Sequence, residues 1–315
     1  MKKRVLVLGG TGMLGFMVTT YLARAAKFEV IATARGNEFQ AEYKNQLPEV
    51  EWHTFDAASP TTDLFERCNW VINCIGIIKP FINDSNAQQV ERAIQVNSIF
   101  PHTIARLTTG TARVIQIATD CVYSGTKGRY VETDVHDALD VYGKTKSLGE
   151  VTAEHVHHLR CSIVGPEIAS PKSLMEWLLG QPHGASVNGF INHQWNGVTT
   201  LHFAKLCKGI IANDLELSHM QHVVPDGAVT KYDMLKEFAR RYGRDDLVIN
   251  ATEAPAIIDR TLETNKPEKN QQLWSAAGYS QAPSVPQMIG ELAKFNYELK
   301  TAGRIQHEGA DCVGH

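Results

Sequence analysis

Residues 4–15 read RVLVLGGTGMLG, and this stretch decides the fold. Arg4–Leu8 is a short, largely apolar run, typical of a strand buried on both faces of a parallel sheet. The glycines that follow match G-x-x-G-x-x-G from Gly9 and G-x-G-x-x-G from Gly10. Glycine permits a tight turn and lets the backbone approach a pyrophosphate, which the free N–H groups of the next helix face. We therefore expect a dinucleotide cofactor to contact Gly9, Thr11, Gly12, Met13, Leu14 and Gly15, the alternative being a tight turn without a ligand.

Short apolar runs and longer helical patterns alternate along the first half of the chain. The predicted strands are Arg4–Leu8, Glu29–Ala34, Trp70–Ile75, Arg113–Ile117 and Arg160–Val164. The predicted helices include Met13–Ala26, Ala87–Thr108 and Tyr142–Glu154. Such alternation predicts a doubly wound α/β fold, a parallel Rossmann sheet with helices on both faces.

This alternation fades after Pro166. We expect residues 1–166 to form a dinucleotide-binding Rossmann region that carries the reacting residues. Residues 167–303 should form mainly a smaller substrate-binding lobe, from which some elements can return to the Rossmann sheet. Residues 304–315 are expected to be a flexible tail.

Composition favours a globular protein with a small-molecule partner. The chain has 315 residues, 43% of them hydrophobic, and can bury a full core. Its net charge of -3 gives no broad attraction to nucleic acid or to an anionic membrane. The sequence contains no run of about 18 apolar residues, the length that would predict a membrane span. The charged start leads directly into a predicted strand and not into the apolar region of a signal peptide, so we expect a cytoplasmic protein.

The cysteines and histidines show no metal-binding pattern. The six cysteines include no C-x-x-C pair, and we interpret them as reduced thiols. His155 and His158 could meet on one face of a helix, but no carboxylate or cysteine lies at a suitable spacing. We therefore expect core or solvent histidines and no metal.

The end of the second strand bears on the choice between NAD(H) and NADP(H). An NAD-specific site usually has an acidic residue there, which accepts hydrogen bonds from the ribose. Here Arg35 follows Ala34, and a guanidinium suits a 2′-phosphate. We expect NADP(H), with NAD(H) as the alternative because Glu38 lies close behind. Asp56 could accept a hydrogen bond from the adenine amino group or be a surface carboxylate.

Three side chains are placed for proton transfer to a carbonyl group. Tyr142 and Lys146 share a helix face at i, i+4, and a nearby cation is expected to lower the pKa of a phenol. Thr119 follows the fifth strand at the edge where ligands of such folds bind, and could hold the substrate oxygen. Y-x-x-x-K alone occurs by chance on many helices. The interpretation therefore depends on the order of the glycine-rich turn, Thr119 and the Y-x-x-x-K pattern along the chain.

The order and spacing of these features resemble the extended short-chain dehydrogenase/reductase superfamily. Within it, ATDCVYSG (118–125), GRYVETD (128–134) and DVYGKTKSLGE (140–150) are similar to segments of dTDP-4-dehydrorhamnose reductases. The resemblance covers roughly residues 4–165. It implies an NADPH-dependent enzyme that reduces the 4-keto group of a nucleotide-linked 4-keto-6-deoxy sugar in polysaccharide biosynthesis.

The resemblance also implies roles for individual residues. Thr119, Tyr142 and Lys146 would be the catalytic trio, with Asn97 near the proton path; Tyr142 would protonate the alkoxide and Lys146 would also bind the nicotinamide ribose. The further cofactor contacts that it implies are Cys74, Ile75, Gly76 and Ile163. Relatives are often dimers, which makes a homodimer an expectation from resemblance alone.

Neither Cys121 nor the second half of the chain decides which substrate the protein binds. Enzymes resembling GDP-fucose synthase have a cysteine at the position of Cys121 that takes part in epimerisation with a downstream histidine, but EIASPKSLMEWLLG (167–180) contains none. We expect Cys121 to line the substrate site as an inert thiol. His193 and Trp195 could contact the substrate or belong to a turn with Trp195 packed inward, and Arg260 could pair with a diphosphate.

Two alternatives to the reductase follow. One is a combined epimerase and reductase. The other is a non-catalytic NADP-binding regulatory subunit, resembling the β-subunit of methionine adenosyltransferase. The intact Tyr142 and Lys146 favour an enzyme over a regulatory subunit.

Overall fold

The computed structural model describes residues 2–36, 43–167 and 173–297. Its strands are β1 (Lys3–Leu8), β2 (Phe28–Ala34), β3 (Glu51–Thr54), β4 (Trp70–Asn73), β5 (Arg113–Ala118), β6 (Val156–Arg160), β7 (Ile163–Val164), β8 (Ser186–Phe190), β9 (His193–Trp195), β10 (Val198–Thr199), β11 (Met220–His222), β12 (Val229–Thr230), β13 (Val248–Thr252) and β14 (Ile258–Asp259). Its named helices are α1 (Met13–Ala23), α2 (Asp63–Glu66), α3 (Ala87–Ala93), α4 (Phe100–Thr108), α5 (Val141–Leu148), α6 (Leu174–Leu179), α7 (Thr200–Ala212), α8 (Lys231–Arg241), α9 (Pro267–Ala276) and α10 (Val285–Lys294).

Seven parallel strands form the main sheet in the order β11-β6-β5-β4-β1-β2-β3. The central strand β1 is buried on both faces: Val5 and Val7 lie in one hydrophobic cluster, and Leu6 and Leu8 lie in the other. This placement explains the apolar run in the sequence, since side chains alternate between the faces of a strand. The doubly wound Rossmann fold predicted from the sequence is confirmed.

The second half of the chain forms small sheets and also contributes to the main one. β9 lies between β12 and β14, β8 pairs with β13, and β7 pairs with β10. β11 extends the main sheet beside β6, and α7 packs on α1. Residues after Pro166 therefore also build the Rossmann half. The predicted tail, 304–315, lies outside the described residues.

Two sequence-based element boundaries were wrong. The helix predicted to reach Glu154 ends at Leu148, because Gly149 follows and a Cβ there would collide with the carbonyl of Asn97. The strand predicted at 160–164 is instead β6 and β7, with a break between them. β6 was missed because VHHLR looks polar in the sequence, although all five of its residues are buried.

His155 and His158 do not meet on a helix, since His158 lies in β6 and His155 precedes it. His155 Nε2 lies 3.0 Å from the carbonyl oxygen of Ala105, whereas His158 Nε2 lies 3.0 Å from that of Val151. Within 2–36, 43–167 and 173–297, no group of three or more potential ligands could hold a metal ion. In the same ranges, no helix has both the length and the apolar surface needed to span a bilayer.

The turn after β1 depends on close contact with α1. Gly9 has a left-handed φ of 77° and accepts a hydrogen bond from the N–H of Gly12 at 3.0 Å. Gly15 lies so close that a Cβ on it would collide with the carbonyl oxygen of Gly9. A Cβ on Gly12 would lie an ordinary 3.5 Å from the same oxygen. The packing of α1 on the turn therefore requires the third glycine of the motif, Gly15.

Gly15→Ala should destabilise the protein by about 1–3 kcal/mol, because α1 must move away from the turn to admit the methyl group. Gly12→Ala is the matched control and should change the free energy of unfolding by much less. Urea unfolding of both variants measures the difference. Equal stability of the two variants would show that the contact between α1 and the turn does not require glycine at position 15.

Candidate active site

The carboxyl edge of β1 presents a turn that fits a pyrophosphate. The turn is held by β2, since Gly9 N–H donates to Thr33 Oγ1 at 2.9 Å and Gly10 N–H donates to the Thr33 carbonyl at 2.7 Å. α1 begins directly after it with Gly12 as N-cap, and no described side chain caps its first N–H groups. Unsatisfied helix N–H groups favour an anionic ligand. The contacts of Thr11, Met13 and Leu14 with a cofactor remain predictions.

Arg35 stands at the end of β2, where the sequence places it. Its side chain is exposed, and within the described ranges it forms no ion pair. Asp56 lies beside this strand end, because Phe55 N–H donates to the Ala34 carbonyl, but Asp56 Oδ1 already accepts from Ala58 N–H at 3.0 Å. Glu38 lies outside the described residues. Among the described residues, no carboxylate therefore competes with a ligand for Arg35.

The segment after β4 packs against the glycine turn. Asn73 Oδ1 accepts from Ile75 N–H at 3.1 Å, and Asn73 Nδ2 donates to Gln116 Oε1 at 2.8 Å. A Cβ on Gly9 would lie 2.9 Å from Ile75 Cγ1, so the two segments touch. Burial raises the pKa of the Cys74 thiol. This arrangement puts residues 74–76 beside the predicted cofactor position.

Tyr142 and Thr119 are brought together by the packing of α5 on the turn after β5. Asp140 caps α5 by accepting from Gly143 N–H at 2.7 Å. A Cβ on Gly143 would collide with the carbonyl oxygen of Cys121, which shows how closely α5 approaches this turn. Thr119 Oγ1 accepts from Cys121 N–H at 3.1 Å and lies 3.3 Å from Asp120 Oδ1.

The expected lowering of the Tyr142 pKa is wrong for this structure. Burial raises the pKa of Tyr142 first of all, and Cys121, Asp120 and Asp140 raise it further, while a polar interaction with Thr119 lowers it. The cause is that desolvation disfavours the phenolate more than its surroundings stabilise it. The phenol therefore carries its proton at neutral pH.

Lys146 lies one turn after Tyr142 and is only 9% exposed. Its Nζ donates to the carbonyl oxygen of Ile117 at 3.1 Å. Burial lowers the pKa of Lys146 to about 8, and Glu150 acts in the opposite direction. Most of the ammonium is therefore still charged at neutral pH.

Asn97 connects two segments of the site. It lies in a π-helical turn (Ile94–Ile99) between α3 and α4. Its Oδ1 accepts from Ile77 N–H at 2.8 Å, and its Nδ2 donates to the Ile77 carbonyl at 2.9 Å and to Thr145 Oγ1 at 3.3 Å. These bonds make Asn97 a positioning residue for the segment after β4 and for α5. Its place near the proton path stays a prediction.

His193 and Trp195 are both buried, which favours the alternative of a turn with Trp195 packed inward over contact with the substrate. Trp195 is packed inward, and its Nε1 donates to Ser162 Oγ at 2.8 Å. His193 is buried as well, and its Nε2 lies 3.0 Å from the carbonyl oxygen of Ala256. Trp195 Nε1 and His193 Nε2 thus have partners inside the protein, which the polar and aromatic residues of the sequence do not reveal. Ile163 pairs with Val198 in a short parallel ladder.

Cys121 and Arg260 do lie near the reacting residues. Burial, followed by the charge of Asp120, raises the pKa of Cys121 to about 12, so its thiol is protonated at neutral pH. Arg260 Nε donates to the Tyr123 carbonyl at 2.8 Å, which places its side chain against the same turn. Lys231 faces this group too, since its charge interacts with Asp120 and Cys121. Lys231 was not predicted, because a single lysine at the start of a helix is typical of a solvated residue.

A buried arginine below the site was also missed. Arg160 has no exposed surface, and its guanidinium donates to Tyr123 Oη at 2.6 Å and to Glu150 Oε2 at 2.6 Å. It also lies 3.0 Å from His222 Nε2 and 2.9 Å from His136 Nε2. This group, which we call the Arg160 network, joins β6, β11, the turn after β5 and the segment after α5.

Comparisons with known proteins agree with the geometry. A family model described as the RmlD substrate binding domain matches residues 2–271. A hypothetical dTDP-4-dehydrorhamnose reductase from Sulfolobus tokodaii has a similar structure, with a TM-score of 0.67, 19% identity and coverage of 84% of this chain and 94% of that chain. A dTDP-4-dehydrorhamnose reductase from Bacillus anthracis in complex with NADP gives a TM-score of 0.67 and 16% identity, over 93% of this chain and 98% of that chain. At these identities the structures show a shared fold.

One curated protein has a related sequence. Methionine adenosyltransferase 2 subunit beta from Xenopus tropicalis is 28% identical over 156 residues, which are 49% of this chain and 43% of that protein. The chain therefore matches less than half the length of this relative.

Lys146→Met should stabilise the unliganded protein at pH 7 by about 1–2 kcal/mol, because it removes a buried charge at the loss of one hydrogen bond. The unfolded lysine has a pKa near 10.5 and the folded one a pKa near 8. Between these values the unfolded state binds more protons, so the wild type gains stability as pH rises and the advantage of the variant shrinks by pH 10.

Urea unfolding of both proteins at pH 7 and pH 10 measures this effect. Lys144→Met, on the exposed side of the same helix, is the control and should show no such pH-dependent difference. A Lys146→Met variant that is less stable than the wild type at pH 7 would contradict the description of Lys146 as a buried lysine with a lowered pKa.

Proposed function

Because the chain belongs to the family described by the RmlD substrate binding domain, we propose that it is an NADP(H)-dependent oxidoreductase acting on a nucleotide-linked sugar. The reaction is reduction of the 4-keto group of a nucleoside-diphosphate 4-keto-6-deoxy sugar. The observation that carries this proposal is the grouping of Thr119, Tyr142 and Lys146 at the sheet edge that also holds the glycine turn.

The cofactor proposal rests on the turn and on Arg35. Gly9, Gly12 and Gly15 give the backbone the shape that a pyrophosphate needs, and the first N–H groups of α1 are available to it. Arg35 is proposed to hold the 2′-phosphate, with support from the related reductase whose structure contains NADP. When bound, this cofactor supplies the hydride for the reduction.

The protonation states suit the reductive direction. Tyr142 keeps its proton at neutral pH because burial raises its pKa, so it can donate that proton to the developing alkoxide. Thr119 is proposed to donate to the same substrate oxygen in place of its long bond to Asp120. The charged Lys146 stabilises the phenolate that Tyr142 leaves behind and is proposed to bind the nicotinamide ribose.

Two other functions remain as alternatives. The relationship to methionine adenosyltransferase 2 subunit beta supports a regulatory subunit that binds NADP. A combined epimerase and reductase would use Cys121, but that thiol is protonated at neutral pH. Oxidation of NADPH by the purified protein, followed at 340 nm with 4-keto-6-deoxy sugars linked to dTDP, UDP, GDP or CDP, separates the enzyme from the regulatory subunit.

Tyr142→Phe should reduce turnover by about 10²- to 10⁴-fold, because it removes the proton donor. Its Kd for NADPH should stay near the wild-type value, since little binding surface is lost. Tyr21→Phe removes a hydroxyl from α1, at its contact with Phe295, and should leave turnover unchanged. Turnover of Tyr142→Phe at the wild-type rate would remove Tyr142 from the mechanism.

Arg35→Ala should weaken NADPH binding by about 10- to 100-fold, the loss of one charge-assisted contact to a phosphate. NADH binding should change little, because NADH lacks that phosphate. Arg106→Ala is the control: Arg106 is exposed near the end of α4, which leads into the amino edge of the sheet. Isothermal titration measures all four affinities, and equal losses for both cofactors would make the role of Arg35 wrong.

A further inference from the structure

His136 joins the segment before α5 to the rest of the Arg160 network. Its Nδ1 lies 2.7 Å from Ser147 Oγ in α5, and its Nε2 lies 2.9 Å from Arg160 Nη2 in β6. The His136 side chain is 25% exposed, against 13% for Glu150 and 0% for Arg160. Solvent protons therefore reach the imidazole more readily than they reach the ion pair behind it.

The contact with Arg160 requires a neutral imidazole. A guanidinium has N–H donors and no acceptor, so His136 Nε2 must accept the hydrogen bond from Arg160. The ring proton of the neutral form is thereby assigned to Nδ1, which donates it to Ser147 Oγ. A second proton, on Nε2, would remove the bond to Arg160 and bring two cations together across a distance of 2.9 Å.

Charged and titratable groups from four segments face the His136 ring. Arg160 opposes a charged imidazole, whereas Glu150 favours one, with its Oε2 3.7 Å from Nε2. Asp137, in the same segment as His136, also favours the charged form, and the Tyr123 ring lies nearly perpendicular to the imidazole at 5.5 Å. Burial comes first among the effects on the pKa of His136 and, together with Arg160, lowers it against Glu150 and Asp137.

A charged His136 would compete with Arg160 for Glu150. Both carboxylate oxygens of Glu150 accept from Arg160 in the neutral arrangement. Protonation of His136 adds a cation beside a pair that is already balanced, so the repulsion is relieved when the imidazole moves away from the guanidinium. That movement gives up the contacts that hold His136 to Arg160 and to α5.

The segment that would move is bonded to both sides of the candidate site. The N–H groups of Asp137 and Ala138 each donate to the Val122 carbonyl at 3.1 Å, in the turn after β5. The segment ends at Asp140, which is the N-cap of α5. A shift of His136 therefore acts on the helix that carries Tyr142 and on the turn that carries Thr119.

We propose that His136 is a positioning residue for α5 that acts only as the neutral imidazole. Its protonation in mildly acidic solution releases the segment before α5 from Arg160 and so displaces Tyr142. Acid then lowers activity through a residue that does not touch the reacting atoms. The effect on turnover rests on the proposed function, whereas the effect on α5 does not.

The reacting residues give no comparable loss in acid. Burial raises the pKa of Tyr142, and the pKa of Lys146 is about 8, so both keep their protons as the pH falls below 7. His222 contacts the same guanidinium, but burial, followed by the charge of Arg160, lowers its pKa to about 4. His222 is therefore neutral at pH 5.5 and above.

The first measurement needs no substrate. Hydrogen–deuterium exchange of peptides spanning residues 134–150 is followed at pH 7.5 and pH 5.5, with each rate corrected for the intrinsic effect of pH. Protection in the wild type should fall by about threefold or more at pH 5.5. His136→Gln offers an amide oxygen to Arg160 but does not titrate, so its protection should be the same at both pH values. His183→Gln, at an exposed histidine, is the matched control and should behave as the wild type.

Turnover is measured over the same pH range by oxidation of NADPH with the keto-sugar nucleotide that the protein reduces. The wild-type kcat should fall by up to about tenfold for each pH unit below the titration midpoint of His136. The profile of His136→Gln should be flat over this range, and that of His183→Gln should match the wild type. Nitrogen-15 NMR of the histidine rings gives the midpoint and the ring nitrogen that carries the proton.

The outcomes separate this role of His136 from the proposed function. Equal acid dependence of exchange in the wild type and His136→Gln, or a ring proton on Nε2 at pH 7.5, overturns the role. Loss of protection that depends on His136, without reduction of any sugar nucleotide, keeps the role and rejects the reductase. Reduction with the same pH profile in both proteins keeps the reductase and rejects the role.

The wild type alone also tests the proposal, should His136→Gln fail to fold. Loss of protection in residues 134–150 must then follow the titration of the His136 ring with the same midpoint. Two different midpoints overturn the proposal.

Discussion

The guanidinium group of Arg160 has no contact with solvent, and the segments that carry the reacting residues are bonded to it. Removing this charge from water costs several kcal/mol, and Glu150 is the carboxylate that offsets the cost. Tyr123, which follows the turn of Thr119, and Glu150, which follows α5, bind the same group. The segments that follow the Thr119 turn and α5 are thereby bonded to one group, in addition to the direct packing of α5 on that turn.

Glu150 also links this network to Lys146. It binds Arg160 directly, and its charge opposes the effect of burial on the pKa of Lys146. A single carboxylate therefore acts on two buried cations, one structural and one proposed for catalysis. Glu150 therefore favours the charged form of Lys146, against the larger effect of burial, while it also pairs with Arg160. This coupling explains why a cluster of buried charge, unfavourable by itself, can exist below a sheet edge.

The sequence predicted those features that depend on local chemistry. The apolar run of β1 and the glycines at 9, 12 and 15 specify a strand and a close helix contact whatever the rest of the chain does, and the fold followed from them. β6 was not predicted because His158 and Arg160 are buried polar residues whose hydrogen-bond partners lie outside the strand, where a local pattern does not show them. The sequence left two alternatives open for Trp195, substrate contact and inward packing, because periodicity does not show that Ser162 accepts its N–H. Lys231 lacked any local signal, since its position near Asp120 depends on the pairing of β12 with β9.

The division of the site between the two halves of the chain has a physical cause. A parallel sheet collects the ends of its strands at one edge, so the glycine turn, Thr119 and α5 meet there regardless of the substrate. The charges opposite that edge come from β12 and β14, in a small sheet whose register is set by a few residue pairs. Exchanging a side chain such as Lys231 would alter the electrostatics facing Asp120 without disturbing the seven-stranded sheet. The residues of the proposed reaction thus lie where the constraint that determines the fold places them, whereas the charges opposite them come from positions that the fold leaves free to vary.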